Sequence, residues 1–186
     1  MGQYANKLSL QAAAAEIQNV FGSVDYLICN ASYSSRRTLL RHLGEFSENP
    51  DVLKDELELA FQVNVVGLIN TINTFISLVQ ASSIKKIVAL TSGMGDCDFV
   101  NESGIDGGAP YAISKAGVNM VVAKYNTTYK SDGVLVMGIC AGSVNTHPSD
   151  ARRLYHSTSV IDLLTTNFNS QQAMMISEAY KHLWAS

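Results

Sequence analysis

Apolar residues fall along this chain in two kinds of run that alternate. Residues 8–20 carry them at helical spacing in an alanine-rich stretch that Phe21-Gly22 stops, which predicts a helix. Residues 25–30, 85–91 and 134–140 are short apolar runs, too brief for helices and suited to buried parallel strands. Two longer helical segments lie between them. One spans about 51–80, with Asp51, Asp55 and Glu56 in its first turns, where the helix dipole favours acids, and it is apolar nearly all round over 61–79. The other spans about 109–130, with Pro110 acceptable in its first turn and Ser131-Asp-Gly133 at its end. Three strands separated by helices predict right-handed crossovers and a parallel sheet, an α/β fold. Residues 33–49 are polar and mixed, and His42 reads as a solvated loop residue.

The candidate chemistry gathers where strands end. Ser92 follows the second strand, and Tyr111 and Lys115 are four apart at the start of the third helix, so their side chains share one face. An ammonium beside a phenol favours the ionised phenol, and a phenol so tuned passes protons near neutral pH while a serine hydroxyl holds a substrate oxygen. That is carbonyl and alcohol chemistry. In open parallel sheets ligands bind at the carboxyl ends of the strands, where all three residues fall. Taken alone, the Tyr-x-x-x-Lys spacing is common on helix surfaces.

Composition narrows the setting. The chain has 186 residues, 47% hydrophobic and 16% charged, which suits one domain with a sizeable core. A net charge of −3 offers no basic field for nucleic acid, and no apolar run reaches the length expected of a membrane span. Cys29, Cys97 and Cys140 lack metal spacing, and two of them sit in strand-like runs where buried thiols are common. A reducing, cytoplasmic setting is the natural expectation.

Five segments together resemble the short-chain dehydrogenase/reductases over roughly 8–146. Cys29-Asn-Ala-Ser32 stands where that family has Asn-Asn-Ala-Gly, and Asn64-Val-Val-Gly67 is similar to its helix asparagine motif. Thr91-Ser92 with Gly95 resembles the serine motif, Tyr111 to Lys115 the Tyr-x-x-x-Lys signature, and Ala141-Gly-Ser-Val-Asn-Thr146 the family's Pro-Gly-x-Val-x-Thr. The resemblance implies a three-layer Rossmann-type sheet and hydride transfer between NAD or NADP, with NADP placed slightly ahead, and a small or lipophilic ketone or alcohol. It implies catalytic roles for Asn64, Ser92, Tyr111 and Lys115: acid/base for Tyr111, substrate orientation for Ser92, ribose contact for Lys115, and a helix bend with a water relay for Asn64. Asn30, Ala31, Gly142, Val144 and Thr146, with Tyr111 and Lys115, would line the cofactor. The helices over 51–80 and 111–130 would associate into a homodimer or homotetramer, because Val118, Met120, Val121, Val122 and Ala123 add apolar surface beyond what one sheet face covers.

Departures from the pattern accompany the match. The Gly-rich phosphate-binding turn and two βαβ units are absent from the sequence, so residues 1–186 read as one partial domain, with 147–186 a substrate flap and C-terminal region. Their loss would leave the strand at 25–30 on an edge. Ser32 replaces a glycine where a Cβ could crowd the cofactor, and Ala141 replaces a proline. Residues 96–108 form an insertion that reads equally as a substrate-facing lid or a tolerated surface segment. A second expectation stands beside the enzyme: a non-catalytic relative that acts by pairing with a full-length family member.

Overall fold

The computed structural model describes residues 7–142. Helix α1 (Lys7–Phe21) leads to strand β1 (Tyr26–Cys29), helices α2 (Pro50–Phe61) and α3 (Gly67–Ala81), and strand β2 (Lys86–Thr91). Helices α4 (Cys97–Ser103) and α5 (Ala109–Tyr129) then precede strand β3 (Leu135–Cys140). All strands are parallel in the order β1-β2-β3, with Ile28 level with Val88 and Val88 with Met137. The expected α/β fold and the three strands are present, each strand beginning one residue later than its run. The expectations for 147–186, and for Val144 and Thr146, lie outside the described residues.

Strand pleating sends alternate side chains to opposite faces, and one set meets the helices. Leu27, Cys29, Ile87, Ala89 and Val136 form one core with Leu10 of α1, Leu68, Ile72, Phe75 and Val79 of α3, and Val118 of α5. Ile72, Val79 and Ile87 are fully buried, and each contributes about 1.5–3 kcal/mol relative to exposure. Ile28, Val88 and Met137 lie outside this cluster, on the other face. Among the described residues the helices thus supply one covering layer, and β1 is an edge strand.

The segment expected as one helix over 51–80 is continuous from Pro50 to Ala81, but residues 62–66 form a π turn between α2 and α3. There the Gly67 N–H reaches back five residues to the Gln62 carbonyl. By length and composition this helix could cross a membrane, which the sequence reading did not foresee. Its residues Leu68, Ile72, Phe75 and Val79 are nevertheless buried in the core described above, the position of a core helix. The apolar circumference over 61–79 resolves into that buried face and an outer face bearing Phe61 and Val66, both exposed. On α5, Val118 is buried and Val121 and Val122 pack against the core, while Met120 is 60% exposed.

Candidate active site

The carboxyl ends of β2 and β3 and the start of α5 form the floor of the site. Ser92 leaves β2 extended and caps a single helical turn over Gly93–Gly95, its Oγ accepting the Met94 N–H at 3.2 Å. That turn lies directly on α5. A Cβ on Gly95 would come within 2.6 Å of the Lys115 carbonyl carbon and 2.7 Å of the Ala116 nitrogen, so only glycine allows this approach. Asn119 Nδ2 adds a hydrogen bond to the Gly95 carbonyl at 3.2 Å. This seating places Ser92 near enough to Tyr111 for its hydroxyl to act on the titration of the phenol.

Lys115 is only 3% exposed, and its Nζ donates to the Leu90 carbonyl at 2.7 Å while lying 5.6 Å from the centre of the Tyr111 ring. Burial lowers its pKa to about 8, with the Cys140 sulfur opposing. Tyr111 departs from the sequence expectation. Burial pushes its phenol up, the Ser92 hydroxyl nearby opposes this, Cys140 pushes up further, and the Ser32 hydroxyl opposes again. The helical spacing puts the two side chains on one face as expected, yet the ammonium turns to the end of β2 instead of the phenol oxygen.

Asn64 sits in the π turn and is buried. Its Nδ2 donates to Ser114 Oγ at 2.8 Å and to the Tyr33 carbonyl at 3.0 Å, and its Oδ1 accepts the Tyr33 N–H at 2.6 Å. The expected helix irregularity is there, but the side-chain amide holds the loop after β1 and the helix carrying Tyr111 instead of reaching toward Lys115. Ser114 Oγ in turn donates to the Tyr111 carbonyl at 2.7 Å. Asn30 and Ala31 lie exposed just past β1, and Gly142 stands just past β3 at φ 68°.

Several site residues were not singled out from the sequence. Glu56, read from the sequence as an acid that the helix dipole favours, is buried; it accepts the Tyr33 hydroxyl at 2.8 Å and pairs with Arg37 at 3.5 Å. Together Asn64 and Glu56 hold Tyr33 at backbone and ring. Cys140, read as a buried strand thiol, is exposed at the end of β3, where its Sγ accepts the Gly93 N–H at 3.2 Å and the Gly142 N–H at 3.4 Å. Cys29 fits the buried-thiol reading, and burial pushes it up to about 12. The insertion over 96–108 holds α4, capped by Asp96 Oδ1 on the Phe99 N–H, with the Phe99 ring against Gly93. Its far end is tied by the Gly108 N–H to the Thr38 carbonyl at 3.1 Å.

Residues 3–155 match the family model for short chain dehydrogenases. The chain belongs to the short-chain dehydrogenase family. It is 38% identical over 135 residues to the short chain dehydrogenase virK of Hypocrea virens, covering 73% of this chain and 50% of that protein. It is 37% identical over 145 residues to the short-chain dehydrogenase/reductase iacC of Pestalotiopsis fici, covering 77% and 53%. The chain therefore spans about half the length of these curated relatives. The NADPH-bound carbonyl reductase from chicken fatty liver shares the fold, with a TM-score of 0.62 at 17% identity over 76% of this chain and 56% of that one.

This site fits the nicotinamide end of the dinucleotide expected for a short-chain dehydrogenase. The exposed residues just past β1 and β3, with Gly142 among them, lie at the same carboxyl edge of the sheet as the Leu90 carbonyl that holds the Lys115 ammonium.

Proposed function

We propose that this chain carries the catalytic residues of an NAD(P)-dependent oxidoreductase that interconverts a carbonyl and an alcohol. The observation that carries the reading is the meeting of the Ser92 hydroxyl, the Tyr111 phenol and the buried Lys115 at the carboxyl end of a parallel sheet. Tyr111 moves a proton to or from the substrate oxygen, and Ser92 holds that oxygen in line. Lys115, released from the Leu90 carbonyl, binds the nicotinamide ribose, where its charge also favours the phenolate. Asn64 keeps the Tyr33 loop and α5 in register, with any relay of protons to Lys115 using the main chain opened by the π turn. Asn30, Ala31, Gly142, Val144 and Thr146 line the nicotinamide. When bound, that ring supplies or accepts the hydride. NADP is placed ahead of NAD, and a small or lipophilic ketone or alcohol is the substrate class. Residues 1–186 are assigned to one partial Rossmann-type unit, with 147–186 as its substrate-flap and C-terminal region.

Self-association is part of the same reading. Ile113, Ala116, Met120 and Ala123 form an exposed apolar stripe along α5, and a second copy about a two-fold axis would cover it.

The test is NADPH and NADH turnover against a panel of ketones, using protein expressed from its whole coding region. Tyr111→Phe should remove nearly all turnover while cofactor still binds, since only the phenol proton is lost. Near-normal rates in that variant would overturn the assignment. The 186-residue chain alone, whose sequence has no Gly-rich turn, should bind either nucleotide weakly by fluorescence titration; a micromolar constant would refute this part.

A further inference from the structure

We propose that Glu56 is a positioning residue for Tyr111, acting through a continuous line of hydrogen bonds that joins helix α2 to the start of α5. Its carboxylate accepts the Tyr33 hydroxyl at 2.8 Å. Asn64 in the π turn holds the main chain of Tyr33, its Oδ1 accepting the N–H at 2.6 Å and its Nδ2 donating to the carbonyl at 3.0 Å. The same Nδ2 donates to Ser114 Oγ at 2.8 Å, and that hydroxyl donates to the Tyr111 carbonyl at 2.7 Å. The line ends on the main chain of the residue that carries the phenol. Neither Glu56 nor Tyr33 belongs to the five segments that match the family pattern.

The burial of Glu56 argues for a directional role. The residue is 4% exposed, and a carboxylate taken out of water is costly unless charge and hydrogen bonds answer it. One loop supplies both, Arg37 lying 3.5 Å from Oε1 and the Tyr33 hydroxyl bonding Oε2. An apolar side chain could fill the same place on α2, so packing alone does not call for an acid. What the carboxylate adds is a charge-assisted bond of set direction, which fixes the Tyr33 ring. Asn64 uses its amide nitrogen and its oxygen together, so only one orientation of the amide satisfies its neighbours. With Ser114 fully buried, a displacement of Tyr33 is passed to α5 and not taken up by solvent.

The inference rests on reading Tyr111 as the acid/base, and it adds a group that sets where the phenol stands. Misplacing a reacting group by about 1 Å costs on the order of a hundredfold in rate. Glu56 therefore acts on the rate through Tyr33, Asn64 and Ser114, and not by contact with the reacting atoms.

The experiment compares Glu56→Ala, Glu56→Gln and Tyr33→Phe in protein expressed from its whole coding region, by ketone turnover and by amide hydrogen exchange read with mass spectrometry. Glu56→Ala and Tyr33→Phe should each lower kcat by about tenfold. Each should also speed exchange within residues 30–41 and, at the start of α5, within 109–116. Glu56→Gln keeps an oxygen that accepts the Tyr33 hydroxyl and should recover most of the loss. Joined in one chain, Glu56→Ala and Tyr33→Phe should lose no more than either alone, because both break the same line. Faster exchange confined to 30–41, a Glu56→Gln rate that stays with alanine, or losses that multiply in the double variant overturn the proposal. Should Glu56→Ala fold poorly by circular dichroism, Tyr33→Phe against Glu56→Gln makes the same comparison, since a merely structural role predicts lower stability with kcat intact. A protein inactive on every ketone whose faster exchange still spreads from 30–41 to 109–116 would refute the oxidoreductase reading alone. An active protein with kcat unmoved in Glu56→Ala and Tyr33→Phe would refute only the role of Glu56.

Discussion

Replacing the buried lysine should change how stability depends on pH. Lys115 is 3% exposed, and burial lowers its pKa from 10.5 to about 8, so holding the ammonium inside costs the folded state free energy at neutral pH. The gap between 10.5 and about 8 corresponds to on the order of 3 kcal/mol at about 1.36 kcal/mol per pH unit. The direction follows from proton counting. Below about pH 8 the lysine is charged in both states and the cost is present in full. Between about 8 and 10.5 the folded chain has released this proton while the unfolded chain still holds it, so stability rises with pH. Lys115→Met fills similar volume and cannot titrate, though it leaves the Leu90 carbonyl without its 2.7 Å donor. That loss is about the same at every pH, so the slope isolates the ammonium. Urea unfolding of both proteins from pH 7 to 10.5 should show a wild-type curve gaining on the variant by up to about 3 kcal/mol, nearly all of it above pH 8. Parallel curves would show that Lys115 titrates as an ordinary surface lysine and would refute the account of its burial.

Gly95→Ala places a methyl within 2.6–2.7 Å of the Lys115 and Ala116 main chain, so it should cost about 1–3 kcal/mol in urea unfolding and move the Ser92 turn off α5; full stability would show that the seating is loose. Asn64→Leu removes both the donor and the acceptor that hold Tyr33, leaving buried polar groups unpaired, and should cost about 3 kcal/mol. Limited proteolysis of that variant should cut first within residues 30–41, and cleavage elsewhere would count against the clamp. Met120→Asp should turn an associated chain into monomers by light scattering with stability changed by less than about 0.5 kcal/mol, since Met120 is 60% exposed, whereas a charge change at exposed Lys124 should leave association intact. A monomeric wild-type protein at micromolar concentration would remove the association reading.

Sequence pattern alone established the alternation of helix and strand, because each run of apolar residues has a length and period that only one kind of element can bury. Tyr111 and Lys115 were legible for a similar reason: a spacing of four on a helix is local geometry. Ser92 and Gly95 were legible as a motif, although the reason for the glycine, a main-chain approach too close for a Cβ, emerges only when β2 and α5 are set side by side. The burial of Glu56 was not legible because its partners, Tyr33 and Arg37, are brought to it by the path of the loop after β1, and an acid in an early helix turn has an adequate local explanation. Cys140 was misread because an apolar run does not say where its covering helix stops, and the end of β3 lies past that cover. Tertiary structure also decided where the Lys115 ammonium turns and what surrounds the Tyr111 phenol. Both depend on which main-chain carbonyl and which hydroxyls three separate strand ends deliver, and a long-range meeting of that kind leaves no period or spacing in the chain.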